Sequence, residues 1–305
     1  MAPKGSLYHR VVQEIGEKWT RAQGPDGKFI VYTDSSQGTE FDVLRRMRVG
    51  QIQAAMLTVA GLREIDPSVT ALQQLPLMFR TWEEFDFVAA RLQPELERRM
   101  LAKGYVVLFW GEGGWIQFFS KTPLMMPGDF KGQRIFAGAG DPAQLHIFRT
   151  FGYRPVVINV TDVPQALQSG MIDAALLPTM WSLVYQIDRA APNMLHVNWA
   201  PVVGATIMTL DSWNAMTPEV QEVLRAASMD AARKLHEHRR RLDDDAISAM
   251  QSRGLHVHDT TPEADRAWRE LAQTAWKHIR GNTVPAEVFD RVQDILAEHR
   301  SRATP

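Results

Sequence analysis

The sequence predicts an α/β protein built from two lobes, on three observations. Its 305 residues exceed the ~100–200 residues of one typical domain. Helical and strand-like hydrophobic patterns alternate along the first half, which implies a layered α/β architecture. One helix–Gly–strand unit also occurs twice: the segment from Met47 to Thr58, with Gly50, Ile52, Ala54 and Ala55, returns as Leu167 to Pro178, with Gly170, Ile172, Ala174 and Ala175. Both copies place a glycine where a helix C-terminus needs φ > 0, then a short strand of small and aliphatic residues. Such junctions are common in α/β proteins, but a spacing of ~120 residues is too long for a solenoid and suits two similarly built lobes. Open α/β sheets place ligands at their carboxyl edges. Thr58 and Leu177 are therefore expected at the rims of two facing sheets, with the cleft between them as the binding site.

The elements follow in order. Leu7, Val11, Val12, Ile15 and Trp19 have helical spacing, and Lys28–Tyr32 reads as a strand. Phe41–Val49 is a helix ended by Gly50, Gln51–Thr58 a short buried strand, and Trp82–Lys103 a long helix closed by Gly104. Tyr105–Trp110 is a dense apolar run, as in a strand buried on both faces. Pro218–Ala249 reads as one long helix able to bridge both lobes, ~45 Å at 1.5 Å per residue. On it Arg239, Arg240 and Arg241 stand four residues before Asp243, Asp244 and Asp245, which reads as a solvated, charge-balanced face.

Composition narrows the function. There are 34 Lys+Arg against 35 Asp+Glu, a formal net charge of −1. That balance argues against a nucleic-acid binder, which needs a basic face. No run of ~18 apolar residues suits a membrane span. With no cysteine, thiolate metal sites, Cys nucleophiles and disulfides are excluded; an oxidising compartment is compatible with that.

Few motifs carry chemistry. Gly111-Glu112-Gly113-Gly114-Trp115 lacks the spacing of both phosphate-binding glycine motifs. It reads either as a turn bringing backbone close to a ligand or as a structural turn. Arg134–Ala137 is a strand running into Asp141 and Pro142, a helix cap and first turn. Phe136 then ends a strand beside a helix N-terminus, which either seats an anionic or acceptor group or is a capped helix and nothing more. His256 and His258 share a strand face, but no carboxylate array completes a metal set, so exposed strand histidines are the better reading. No nucleophile–base constellation occurs. No catalytic residue, cofactor or metal ligand is assigned.

Across nearly its whole length the chain resembles the periplasmic substrate-binding proteins of tripartite (TRAP) transporters, the DctP type. Gln37-Gly38-Thr39-Glu40 and the Gly50 unit carry the likeness, as do Leu75-Pro76-Leu77-Met78-Phe79 and Asp129-Phe130-Lys131-Gly132-Gln133-Arg134-Ile135. So do Ala166–Asp173, Trp110–Trp115 and Asn198–Pro201. The resemblance implies a two-lobed periplasmic-binding-protein fold with a long helix spanning both lobes. Lobe I is then 1–121 plus 205–250, and lobe II 122–204 plus 251–305. It implies a mature periplasmic receptor, its leader removed, that is not an enzyme. Such a receptor hands a small organic ligand, usually a carboxylate, to the TRAP-type membrane permease subunits. It neither inserts in the membrane nor binds nucleic acid.

The departures shape the expected site. The family's ligand-pairing arginine falls at Phe136, Arg134 lies at a surface position, a polar position is Leu177 and an acidic one Thr58. Desolvating a dicarboxylate against Phe and Leu would cost several kcal/mol per unpaired charge. The expected pocket is therefore aromatic and apolar: Trp115, Phe136, Leu177, Trp181 and Trp199, with Thr58, Glu112 and Asn198 orienting the ligand and the Ala139 backbone nearby. It suits a hydrophobic or aromatic acid, or a neutral or cationic small molecule. The competing readings are that these aromatics are core, that a two-lobed enzyme is present, or that the chain is a scavenging or interaction module.

Overall fold

The computed structural model describes residues 5–25, 27–34, 36–138 and 142–303. The chain runs α1 (Leu7–Gln23), α2 (Glu40–Arg48), β1 (Ala54–Thr58), α3 (Val59–Leu62), α4 (Trp82–Ala102), β2 (Tyr105–Ser120) and β3 (Arg134–Gly138). It continues with α5 (Pro142–Thr150), β4 (Arg154–Ile158), α6 (Val163–Ser169), β5 (Ala174–Pro178), α7 (Thr179–Val184), β6 (Asn193–His196), β7 (Pro201–Thr209) and α8 (Leu210–Asn214). The last elements are α9 (Pro218–Gln251), β8 (His256–Asp259), α10 (Pro262–Ile279) and α11 (Ala286–Ala303). Two compact units share this path. Unit 1 holds Met1–Val69, Ala90–Glu112 and Val203–Arg239; unit 2 holds Thr70–Ala89, Gly113–Val202 and Arg240–Pro305. The border at 69/70 falls in the 3-10 turn Pro67–Leu72, and the others fall inside α4, β2, β7 and α9, so those elements contribute to both. The sequence-based borders at 121/122 and 250/251 lie farther along the chain, and the segment Thr70–Ala89 groups with unit 2.

Unit 1 orders its strands β1-β7-β2, with Ala54 to Thr58 antiparallel to Met208 to Gly204. Gly204 is there because a Cβ would sit 2.6 Å from the Leu57 carbonyl oxygen. Val11 and Ile15 of α1 and Leu224, Ala227, Ala231 and Leu235 of α9 pack with Phe109 and Met208. The α9 residues recur at near 3.6-residue spacing, one inward stripe.

Unit 2 orders its strands β8-β6-β2-β5-β3-β4. The β3–β4 and β3–β5 pairs are parallel, and β2 is antiparallel to both β5 and β6. Alternation along β2 sends its neighbours Phe118 and Phe119 to opposite faces. Phe119 joins Phe136, Leu167, Leu177, Ile187, Met194, Met250 and Leu255. Phe118 lies 4.9 Å from the Trp268 ring of α10 and 5.3 Å from that of Trp199.

The repeated unit is real structure. Gly50 and Gly170 take φ 74° and 77°, and each is followed by a strand and a short helix. Three expectations need correction. Lys28–Tyr32 forms no strand; Ile30 and Tyr32 are exposed, while Phe29 covers Gly16 and Trp19 of α1. The apolar run finds its contact on α1 rather than in a strand pair. Gly111–Trp115 is no turn, because β2 runs straight through it. The arginine–aspartate face of α9 is not wholly solvated either: Arg239 is buried. Among the described residues no helix is long and apolar enough to cross a membrane.

Candidate functional site

The glycines of β2 earn their place through close approach. A Cβ on Gly113 would lie 3.1 Å from the Val202 side chain. Gly114 has φ +92°, and its Cβ would lie 2.4 Å from Oδ1 of Asp243. Only glycine lets that carboxylate come so close to the strand. The Trp115 N–H donates to Asp243 Oδ2 at 3.4 Å, and the Thr179 hydroxyl, at the start of α7, donates to Oδ1. Burial pushes the Asp243 carboxyl up to about 6, against the pull of the Thr179 and Trp115 donors. Asp244 adds to the rise and His196 opposes it.

Beyond its backbone contact, Trp115 belongs to an aromatic pair. The Trp115 ring is buried and lies 4.7 Å from that of Trp82, centroid to centroid. Trp181, two residues beyond Thr179, is half-buried. Asp243, Thr179, Trp115, Trp82 and Trp181 all belong to unit 2.

The other expected residues of unit 2 are dispersed. Phe136 and Leu177 come together inside the apolar cluster with Phe119. Trp199 belongs to the aromatic group of Phe118, Phe151 and Trp268. Asn198 accepts from Gln117 Nε2 at 3.2 Å and donates to the Arg80 carbonyl at 3.4 Å. Arg134 is exposed and grips Asp173 with two nitrogens, at 2.9 and 2.7 Å. Ala139 and Asp141 lie outside the described residues.

In unit 1, Thr58 is the N-cap of α3, and Glu40 takes its polar groups. The Glu40 carboxylate accepts the Thr58 N–H at 3.0 Å, its hydroxyl at 2.9 Å and the Gly61 N–H at 2.8 Å. Charge-assisted bonds of this kind fix the strand-to-helix corner. Glu40→Ala is expected to cost unit 1 roughly 1–3 kcal/mol by stranding those donors. Hydrogen exchange at residues 58–61 checks this; unchanged protection there would refute it. Glu112 is buried, with its carboxylate 3.7 Å from Arg239 Nη1, and its carbonyl accepts the Tyr8 hydroxyl.

Sequence reasoning thus missed Glu40, Thr179, Asp243 and Arg239. The signal for the last two was available: Leu235, Arg239, Asp243, Ala246 and Met250 continue the inward stripe of α9 at helical spacing. Among the described residues no group of three or more His, Asp or Glu side chains is placed to hold a metal ion.

Comparison with known proteins agrees over the whole chain. The model of the bacterial extracellular solute-binding proteins, family 7 (DctP), matches residues 1–282. The C4-dicarboxylate-binding periplasmic protein DctP of Rhodobacter capsulatus is 23% identical over 301 residues, 97% of this chain and 88% of that protein. The 2,3-diketo-L-gulonate-binding periplasmic protein YiaO of Escherichia coli is 24% identical over 208 residues, 67% of this chain and 62% of that protein. Among solved structures, DctP7 of Bordetella pertussis, a receptor binding pyroglutamic acid, superposes with a TM-score of 0.86 at 17% identity, covering 97% of this chain and 96% of that one. A TRAP solute-binding protein of Desulfovibrio desulfuricans with bound sn-glycerol-3-phosphate gives 0.87 at 18% identity, covering 100% and 96%. These structures share the two-lobed α/β fold.

Proposed function

The chain belongs to the DctP family of bacterial extracellular solute-binding proteins, and on that footing we propose that it serves in the periplasm and hands its solute to a TRAP-type membrane permease. It binds without chemistry. The ligand is a small organic molecule, a carboxylate with hydrophobic or aromatic character. One observation supports that choice. By the resemblance, the family's ligand-pairing arginine falls at Phe136, which is buried beside Leu177 and Phe119, and the nearby Arg134 is bound up with Asp173. A dicarboxylate would meet apolar surface where it needs a cation, at a cost of several kcal/mol. A compact acid with a large apolar part loses far less.

A thermal-shift screen of the purified protein against small dicarboxylates, sugar acids, aromatic acids and amino acids tests this reading. A ligand at 100 times its Kd adds ~2.7 kcal/mol, a shift of several degrees. The largest shifts are expected among acids with an aromatic or branched apolar part. Shifts confined to dicarboxylates and sugar acids would keep the receptor and refute the ligand class.

A further inference from the structure

His146 of α5 and His278 of α10 lie far apart in the chain but meet on unit 2, their ring centres 6.4 Å apart with 74° between the planes. Both residues are exposed. Packing beneath them fixes the meeting. Phe148 on the inner face of α5 lies 6.1 Å from the Tyr153 ring, Tyr153 5.9 Å from Phe130, and Phe130 5.5 Å from Trp268 of α10. Phe148, Phe130 and Trp268 are fully buried. The spacing of the two helices therefore rests on a close-packed layer that the exposed histidines do not form.

Other histidine rings have protein partners. His9 accepts the Gly5 N–H at 3.1 Å, while His196 meets Asp259 and His258 meets Asn193, each at 3.0 Å. His146 and His278 differ. Among the described residues neither ring takes part in a hydrogen bond or ion pair. The Thr150 hydroxyl and the Asn282 amide donate instead to their backbone carbonyls, at 3.0 and 2.9 Å. Each neutral ring keeps a nitrogen lone pair for an outside partner.

Two free imidazoles this close form a bidentate ligand. With a Zn–N length of ~2.0–2.1 Å and the ring centre ~1.2 Å beyond, two rings on one ion have centres ~5.3 Å apart at the tetrahedral angle and ~6.5 Å at the widest. The observed separation falls inside that limit, and exposed side chains change rotamer readily enough to close the angle. Imidazole suits Zn2+, Cu2+ and Ni2+, whereas Mg2+ and Ca2+ take oxygen. No third His, Asp or Glu joins the pair among the described residues, so water completes the coordination and the ion exchanges easily.

We propose that His146 and His278 together bind one divalent ion of the Zn2+, Cu2+ and Ni2+ class, as a clamp between α5 and α10. The ion ties the outer sides of two helices whose inner faces already share the aromatic layer. The clamp is independent of the receptor reading.

Isothermal titration of the tag-free protein with ZnCl2 at pH 7.5 tests it, with His146→Ala, His278→Ala and the double variant alongside. His256→Ala, at an exposed histidine of β8, is the control. The wild type and the control are expected to share one strongest site. Each single variant should weaken that site at least ~10-fold, since losing even a group that supports a metal ligand costs that much. The double variant should lose little more, because one histidine alone does not clamp. Zn2+ should also raise the melting temperature of wild type and control more than that of the variants. Circular dichroism and melting of the metal-free variants separate lost binding from unfolding, and glutamine replaces alanine at either position where the alanine variant melts lower. A strongest site untouched by both substitutions, or weakened by only one, would overturn the proposal, as would a wild type that takes up no Zn2+.

Discussion

Arg253→Ala is expected to destabilise unit 2 by about 3–5 kcal/mol, the size of the effect when one partner of a buried ion pair is removed. Arg253 follows α9 and sends Nε and Nη2 to the two oxygens of Asp188, at 2.9 and 2.8 Å. The exposures are unequal: the Asp188 side chain is 1% exposed and that of Arg253 34%. Removing the arginine therefore leaves the harder group to accommodate, a carboxylate enclosed next to Ile187 and cut off from water. The reverse substitution leaves a half-exposed guanidinium that can turn to solvent. So Asp188→Asn is expected to cost less than Arg253→Ala, and adding it to Arg253→Ala should recover more than half of the deficit. Because two units need not unfold together, the reading is native-state hydrogen exchange at the amides of the turn Ile187–Arg189 and of the end of α9, the segments that carry and flank the pair. A deficit below about 1 kcal/mol, or no recovery in the double variant, would show that the pair does not hold this corner.

The fold was legible wherever local pattern and long-range partner agreed. The echo around Gly50 and Gly170 marked two strands correctly because each glycine does a local job, ending a helix at positive φ. The apolar run Lys28–Tyr32 misled because β-propensity describes side chains that suit a pleated surface and says nothing about which partner will cover them. The glycines of 111–115 misled in the opposite sense. Turn-forming residues and residues that permit close approach look alike in sequence, and Gly114 serves the Asp243 carboxylate inside an unbroken strand. On α9, counting charges at i and i+4 gave a solvated face, whereas extending the apolar stripe from Leu235 to Ala246 and Met250 would have turned Arg239 and Asp243 inward. Apolar periodicity outweighs charge pairing as a guide to the buried face, because an exposed i,i+4 pair is worth only ~0.2–0.5 kcal/mol and an inward apolar side chain ~1.5–3 kcal/mol. What the sequence could not give is which polar groups meet across ~60 residues, such as Thr179 with Asp243.

Asp243→Asn is expected to make the unliganded protein more stable, by up to about 3 kcal/mol at neutral pH. The folded-state carboxyl sits at about 6 against an ordinary 3.8, raised mainly by burial. Each unit corresponds to about 1.4 kcal/mol. The sign follows from proton counting. Between about pH 4 and pH 6 the folded protein holds a proton that the unfolded chain has released, so this group's contribution to stability falls as pH rises through that window. Below pH 4 the carboxyl is protonated in both states and costs nothing; above pH 6 the folded protein carries the full penalty. Asparagine has no such titration; its one carbonyl oxygen can accept from the Trp115 N–H while its amide NH2 donates to the Thr179 hydroxyl, which accepts in turn. The stability difference between variant and wild type should thus be near zero at pH 3.5–4 and reach its full size by pH 7, followed by melting across that range. A difference that stays constant with pH would refute the assignment of the penalty to Asp243.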